Sequence, residues 1–70
     1  MVHVDFDEEI DGERFLIRRE WVPSLPRAGD VLKLLDDDDE FRVQFVHWDL
    51  TVMDSSMAPT ISVVCRREAK

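Results

Sequence analysis

Apolar residues recur at every second position in five separate segments of the chain, and this period constrains the fold more than any other feature. The clearest examples are VHVDF at 2–6 and ISVVC at 61–65. Because successive side chains of a β-strand point to opposite faces, this period predicts half-buried strands. Three further strands are predicted over 14–22, 31–35 and 41–50. Together they predict an all-β fold, a five-stranded antiparallel meander forming a small SH3-like or partly open barrel.

The segment RFLIRREWV at 14–22 is compatible with two structures. Its apolar residues follow the alternation of a strand imperfectly, and Phe15, Arg18, Arg19 and Val22 also fit helical spacing. Pro23 ends the element soon afterwards, and a helix this short would be marginal. We therefore expect a strand, and the alternative is an α+β fold with a short helix at 13–22.

Three local signals mark where the chain bends. Asp11-Gly12 is a turn dipeptide suited to positive φ angles. In VPSLPRAGD, at 22–30, the prolines favour extended backbone and Gly29 is suited to the left-handed conformation that turns the chain. Within 41–50 the apolar phase changes at Phe45-Val46, as the extra residue of a β-bulge would produce. Trp48 shares the phase of Val46 and is expected in the core.

The chain has 70 residues, which predicts a single domain over 1–70 with a frayed tail at 67–70. The single cysteine, Cys65, cannot form an internal disulfide or a cysteine-based zinc site, and we expect it to be a small buried hydrophobe. No membrane span and no signal sequence are recognised, so a cytoplasmic protein is expected. No cofactor is expected either. Oligomerisation, for example as a homodimer, remains as a way to stabilise so small a core.

Acidic residues outnumber basic ones by 16 to 9, for a formal net charge of −7. Residues 1–54 hold 15 acids and 6 bases (−9), and residues 55–70 hold one acid and three bases (+2). Contacts from Lys and Arg to phosphate supply most of the affinity for nucleic acid, so direct nucleic-acid binding is disfavoured. A basic protein surface is the better electrostatic match.

The run LLDDDDEF at 34–41 is either a binding surface or only the tip of a hairpin. Five adjacent carboxylates repel one another and require water, which favours a solvated loop between two antiparallel strands. A second acidic cluster surrounds the Asp11-Gly12 turn. The candidate partner-binding residues are the acids of both clusters and one tryptophan: Asp7, Glu8, Glu9, Asp11, Glu13, Trp21, Asp36, Asp37, Asp38, Asp39 and Glu40.

Trp21 precedes the proline segment and is compatible with two roles. It can seal the end of the barrel beneath Pro23 and Pro26, or it can line a groove of the kind in which SH3-like barrels bind extended peptides. Since a domain this small needs its aromatic residues for burial, we expect core sealing.

No catalytic or metal-binding motif is complete. Asp7, Glu9 and Asp11-Gly12 match the first half of a calcium loop, but Arg18 stands where the bidentate glutamate belongs. His3 and His47 are candidate bases without a recognisable nucleophile motif. The chain is therefore predicted to bind no metal and not to be an enzyme.

Two segments, VPSLPRAGDVLKL and FRVQFVHWDL, are similar to segments of known β-domains. They resemble small uncharacterised bacterial and phage β-domains, in which a proline-glycine loop precedes a strand and a Val-rich strand ends in a Trp-Asp or similar pair. The resemblance implies a fold class without a known activity.

Three functions are compatible with these features. The first is an acidic protein-interaction module that binds a basic partner surface without catalysis. The second is an inhibitor whose carboxylates imitate DNA phosphates, with Asp5, Asp7, Glu9 and Asp11 as one possible row. The third is a structural subunit that pairs through an exposed strand edge.

Overall fold

In a computed structural model, which describes residues 1–51 and 60–68, all regular elements are β-strands. They are β1 (Val2–Ile10), β2 (Glu13–Val22), β3 (Val31–Leu32), β4 (Glu40–Asp49) and β5 (Thr60–Glu68). These strands form one sheet in the order β2-β1-β5-β4-β3, curled into a half-barrel. The predicted all-β class with five strands is confirmed. Within the described ranges, no helix is long and apolar enough to cross a membrane.

A tight hairpin joins β1 to β2. Ile10 pairs with Glu13, and the two residues between them have positive φ angles, 51° at Asp11 and 82° at Gly12. Positive φ at both central positions is the requirement of a type I′ hairpin turn, so the predicted turn is confirmed. The alternative with a helix at 13–22 is wrong, because that segment forms β2 along its whole length.

The prediction of a purely antiparallel meander is wrong. β1 pairs with β5 in parallel, in the register Asp5↔Ser62 to Glu8↔Cys65, and β2 and β3 are the two edges of the sheet. The physical reason is the charge of β2. Its arginines and glutamates remain in solvent at an edge, whereas the apolar Val63, Val64 and Cys65 occupy the centre.

The segment 23–30 carries the chain from one edge of the sheet to the other. Gly29 has φ of 93°, as expected for the residue that turns the chain. The segment then docks beside β4, where the Gly29 amide donates to the Val43 carbonyl at 2.8 Å and the Val43 amide donates to the Asp30 carbonyl at 2.9 Å. The strand that follows is only two residues long, shorter than the predicted 31–35.

A bulge interrupts the pairing of β4 with β5. Val43 pairs with Cys65 and Phe45 with Val64, which leaves Gln44 as the extra residue. The predicted phase change is therefore present but lies between Val43 and Phe45, slightly before the expected position. A second irregularity leaves Ile17 of β2 without a partner on β1.

The core lies on the inner face of the curled sheet. Its buried members come from β1, β4, β5 and the segment after β3: Val4, Phe6, Leu34, Phe41, Val43, Ile61, Val63 and Cys65. Val64 points to the other face and is also fully buried. The prediction that Cys65 is a buried hydrophobe is confirmed, and burial raises the pKa of its thiol to about 11.

The last strand extends further than expected. β5 runs through Glu68, so the frayed tail predicted at 67–70 does not begin at Arg67. Residues 69–70 lie outside the described part of the chain. The same holds for 52–59, which the turn residues Asp54, Ser55, Ser56 and Pro59 predict to be a loop.

Candidate acidic interaction surface

The sheet topology brings the two acidic loops to one end of the molecule. β5 runs parallel to β1, so both strands end on the same side, and β4 is antiparallel to β5 and begins there. The β1–β2 turn and the loop 36–39 therefore flank the end of β5. We call this end the acidic end, and its carboxylates are Glu8, Glu9, Asp11, Glu13, Asp36, Asp37, Asp38, Asp39, Glu40 and Glu68.

Arg67 connects the last part of β1 to the loop 36–39. Its Nε and Nη2 donate to the two carboxylate oxygens of Glu8, both at 3.2 Å, and its Nη1 donates to Asp39 Oδ2 at 2.8 Å. The guanidinium also lies over the Phe41 ring, 5.0 Å from its centroid. The hydrogen bond to Glu8, above all, raises the pKa of Arg67. Arg67 therefore ties β1, β5 and the loop before β4 together through charge-assisted hydrogen bonds.

Two further arginines hold the same end together. Arg66 donates from Nε and Nη2 to Glu9 Oε1, at 3.0 and 2.8 Å. Arg42 forms an ion pair with Glu68 and donates to the Gly29 carbonyl at 2.9 Å. The hydrogen bond with Glu68 is the main reason why the pKa of Arg42 is raised. These three arginines offset part of the acidic charge and fix the strand ends.

The remaining acids of this end form no ion pair within the described part of the chain. Six carboxylates make no ion pair with any residue that the structure describes: Asp11, Glu13, Asp36, Asp37, Asp38 and Glu40. All six side chains are exposed. Within its loop, Asp37 Oδ1 accepts a hydrogen bond from the Asp39 amide at 3.0 Å. Among the described residues of this end, ten carboxylates against the guanidiniums of Arg42, Arg66 and Arg67 leave a formal excess of seven negative charges.

The expected partner-binding residues thus fall into separate groups. Glu8, Glu9 and Asp39 are engaged in ion pairs with arginines, whereas the other loop acids face solvent. Asp7 lies on the outer face of β1, half-buried, where burial first and then the charge of Asp5 raise its pKa. It is therefore a poor contact for a basic partner.

The row of alternate acids on β1 is interrupted by cations. Asp5 pairs with Arg19 at 3.0 Å and Glu9 with Arg66 at 2.8 Å, on either side of Asp7. Among residues 1–51 and 60–68, no group of three or more His, Cys, Asp or Glu side chains could hold a metal ion. The residues that match the first half of a calcium loop lie in β1 and in the β1–β2 turn.

Trp21 does not seal the core, so that prediction is wrong. The side chain is 61% exposed, near the end of β2 opposite to the acidic end, with its ring centroid 4.9 Å from that of His3. Trp48, also expected in the core, is 51% exposed. It keeps the inward phase opposite Ile61, but it lies at the end of β4, where the sheet no longer covers it. Trp21 also borders a groove of about 410 Å³ with Phe6, Pro26 and Leu34.

The two histidines are exposed on the outer face of the sheet. Arg14 of β2 donates from Nη1 to His47 Nδ1 at 2.9 Å and lies 5.2 Å from the centroid of the Phe45 ring. Phe45 lies opposite the buried Val64 and His47 lies opposite Ser62 in the pairing of β4 with β5. Cys65 is buried and its raised pKa keeps it protonated at neutral pH.

Sequence reasoning missed the role of the C-terminal arginines. Arg67 was predicted to lie in a frayed tail, yet it pairs with Glu8 of β1 and with Asp39 of the loop 36–39. The preceding Arg66 pairs with Glu9 of β1. Their position depends on the parallel pairing of β5 with β1, which the pattern of charged residues does not specify. Compared with known proteins, the chain matches no family model, no curated protein and no solved structure, so no family is assigned.

Proposed function

We propose that the protein is a small acidic interaction module that binds a basic protein surface through its acidic end, without a catalytic step. The observation that carries the proposal is the convergence of two acidic loops on one end, where six exposed carboxylates have no internal ion pair in the described structure. Such a concentration of one charge steers an oppositely charged partner and aligns it during encounter.

The cationic framework supports this proposal. Arg67 and Arg66 hold Glu8, Glu9 and Asp39, and these contacts fix the bases of the two loops. A partner therefore meets carboxylates whose supporting backbone is already ordered, which lowers the entropy lost on binding. The expected SH3-like architecture and the expected cytoplasmic location remain predictions, and the proposal requires only the half-barrel.

The test compares two double variants of equal net charge. Asp36→Asn with Asp38→Asn removes two acids of the acidic end whose side chains make no hydrogen bond in the described structure. Glu20→Gln with Asp49→Asn is the control and removes two acids elsewhere. We expect the first variant to bind immobilised poly-lysine about tenfold more weakly at low salt and the control to bind much as the wild type does.

The same pair of variants is then used to capture basic proteins from the source cells at low and at high salt. Loss of a captured protein with the first variant but not with the control identifies a partner of the acidic end. Equal weakening of both variants would mean that binding follows total charge, and the proposed surface would be wrong.

Imitation of nucleic acid is a narrower form of this proposal, in which the basic partner is a nucleic-acid-binding enzyme. The two exposed loops favour it, but the arginines paired with Asp5 and Glu9 break the row of acids along β1. Competition between this protein and duplex DNA for the captured partner tests it. A partner that binds both at once excludes the imitation.

The third hypothesis, pairing through a strand edge, has less physical support. β3 is two residues long, and β2 carries a bulge at Ile17 together with Arg14, Arg18 and Arg19. Short edge strands, bulges and charged side chains are features that oppose edge-to-edge pairing.

A further inference from the structure

The end of the sheet opposite to the acidic end is aromatic. β1 begins there and β2 and β4 end there, which brings Met1, His3, Trp21, Trp48 and Leu50 to one region that we call the aromatic end. Trp21 is 61% and Trp48 51% exposed. A 70-residue chain has few large apolar side chains to bury, so leaving both tryptophans outside the core is costly unless another surface covers them.

A cavity lies within the aromatic end. Its volume is about 520 Å³, and both tryptophans, His3 and Ile61 contribute to its lining. His3 packs against Trp21 at 4.9 Å with the two rings tilted by 48°. The volume of this cavity is larger than that of an indole ring.

Among the described residues of this end, the charge is nearly balanced. Arg19 and Asp5 form an ion pair at 3.0 Å, and the nearby carboxylate of Asp49 accepts hydrogen bonds from the Thr51 amide and hydroxyl. Trp48 lies eight positions along β4 from Glu40 at the acidic end, a separation of about 26 Å at the usual rise of a strand. The two ends of the molecule therefore differ, with the excess of negative charge at one end and the exposed aromatic rings at the other.

We propose that two copies of the chain associate through their aromatic ends, related by a two-fold axis, with an indole of each copy entering the cavity of the other. The charge distribution selects this arrangement. Contact through any surface near the acidic end would bring two strongly negative regions together. Contact through the aromatic ends keeps them roughly 50 Å apart, several times the Debye length at physiological salt. Such a contact is self-complementary, as a two-fold dimer requires.

The dimer goes beyond the proposed function and does not depend on it. Its two acidic ends point in opposite directions, so the assembly is bivalent. A bivalent binder gains affinity for repeated basic surfaces through effective concentration, without any additional contact.

The intrinsic fluorescence of the protein reports directly on this interface. The chain has two tryptophans and no tyrosine, and both tryptophans lie at the aromatic end. From low micromolar to millimolar protein, we expect the emission to shift to the blue and acrylamide quenching to decrease, in step with dimer formation measured by sedimentation velocity. A protein that stays monomeric throughout this range, or dimerises without a change in emission, overturns the proposal.

Substitutions locate the interface. Trp21→Glu and Trp48→Glu should each weaken dimerisation by about thirtyfold or more, the usual loss when an interface tryptophan is truncated. Leu16→Glu is the matched control, because Leu16 is 51% exposed but lies on the outer face of the edge strand β2. Dimerisation that is lost with Leu16→Glu and kept with the tryptophan variants would indicate edge pairing and refute the aromatic interface.

Salt separates this inference from the proposed function. Added sodium chloride should leave the dimer unchanged or strengthen it by screening the residual repulsion, while it weakens binding to a basic surface. A dimer that dissociates with added salt would require an electrostatic interface and would overturn the proposal. Asp36→Asn with Asp38→Asn should not reduce dimerisation, so the two proposals can fail independently.

Discussion

Substitution of Val63 by alanine tests the central position of β5. Val63 is fully buried, and it pairs with Phe6 on one side and Val46 on the other. The substitution removes the equivalent of two methylene groups, about 1.6 kcal/mol of transfer free energy, and the cavity that it leaves raises the loss to about 2 to 3 kcal/mol. A chain of this length is stabilised by roughly 3.5 to 10 kcal/mol in total, so the variant should lose a large share of its stability.

Urea unfolding followed by circular dichroism at the β-sheet band measures the effect, since the exposed tryptophans are poor reporters of the core. Val31→Ala is the control, because Val31 lies on the edge strand β3 with 43% exposure and should change the free energy of unfolding by less than about 0.5 kcal/mol. In a meander that follows chain order, β5 would be an edge strand. Equal, small effects of the two substitutions would therefore refute the β2-β1-β5-β4-β3 order.

Two further predictions concern pH. Burial and the neighbouring Asp5 raise the pKa of Asp7 above 3.8, so ionisation of this carboxyl opposes folding at neutral pH. Asp7→Asn should therefore increase the free energy of unfolding at pH 7, and the gain should disappear below about pH 4. A gain of the same size at pH 3 and at pH 7 would contradict this explanation. The pKa of the Cys65 thiol is about 11 in the folded protein, against an ordinary value of 9.0, so the unfolded chain loses this proton at a lower pH than the folded protein does. The free energy of unfolding should therefore fall as the pH rises from 9 to 11. The fall should be smaller in Cys65→Ala, and an identical fall in both proteins would contradict the burial of this thiol.

Local structure was predictable from the sequence because its causes are local. The two-residue period located the strands, Asp11-Gly12 specified the hairpin turn, and the phase change in β4 indicated the bulge. The strand order was not predictable in this way, since it depends on which strands bury both faces. One signal was present: Val63, Val64 and Cys65 are three consecutive apolar residues, which is typical of a strand covered on both sides in the middle of a sheet.

Only part of the candidate site could be predicted, because the rest depends on the strand order. The acidic runs were visible as composition, but their arrangement on one end, and the arginines between them, follow from the parallel pairing. The two tryptophans were wrongly assigned to the core because the alternation along a strand shows only on which face of the sheet a side chain lies. It does not say whether the sheet continues far enough to cover that side chain, and at Trp48 it does not.

The parallel pairing also has a consequence for how the chain folds. Glu9 meets Arg66 across 57 positions of sequence, and β1 meets β5 over similar separations. Contacts this distant are slow to form, because a long loop must close before they contribute to stability. On the ribosome, the β1–β2 hairpin would be synthesised before β5 and would remain without this neighbour until β5 has emerged. Deletion of β5 should therefore abolish the fold outright, rather than remove a single strand from it.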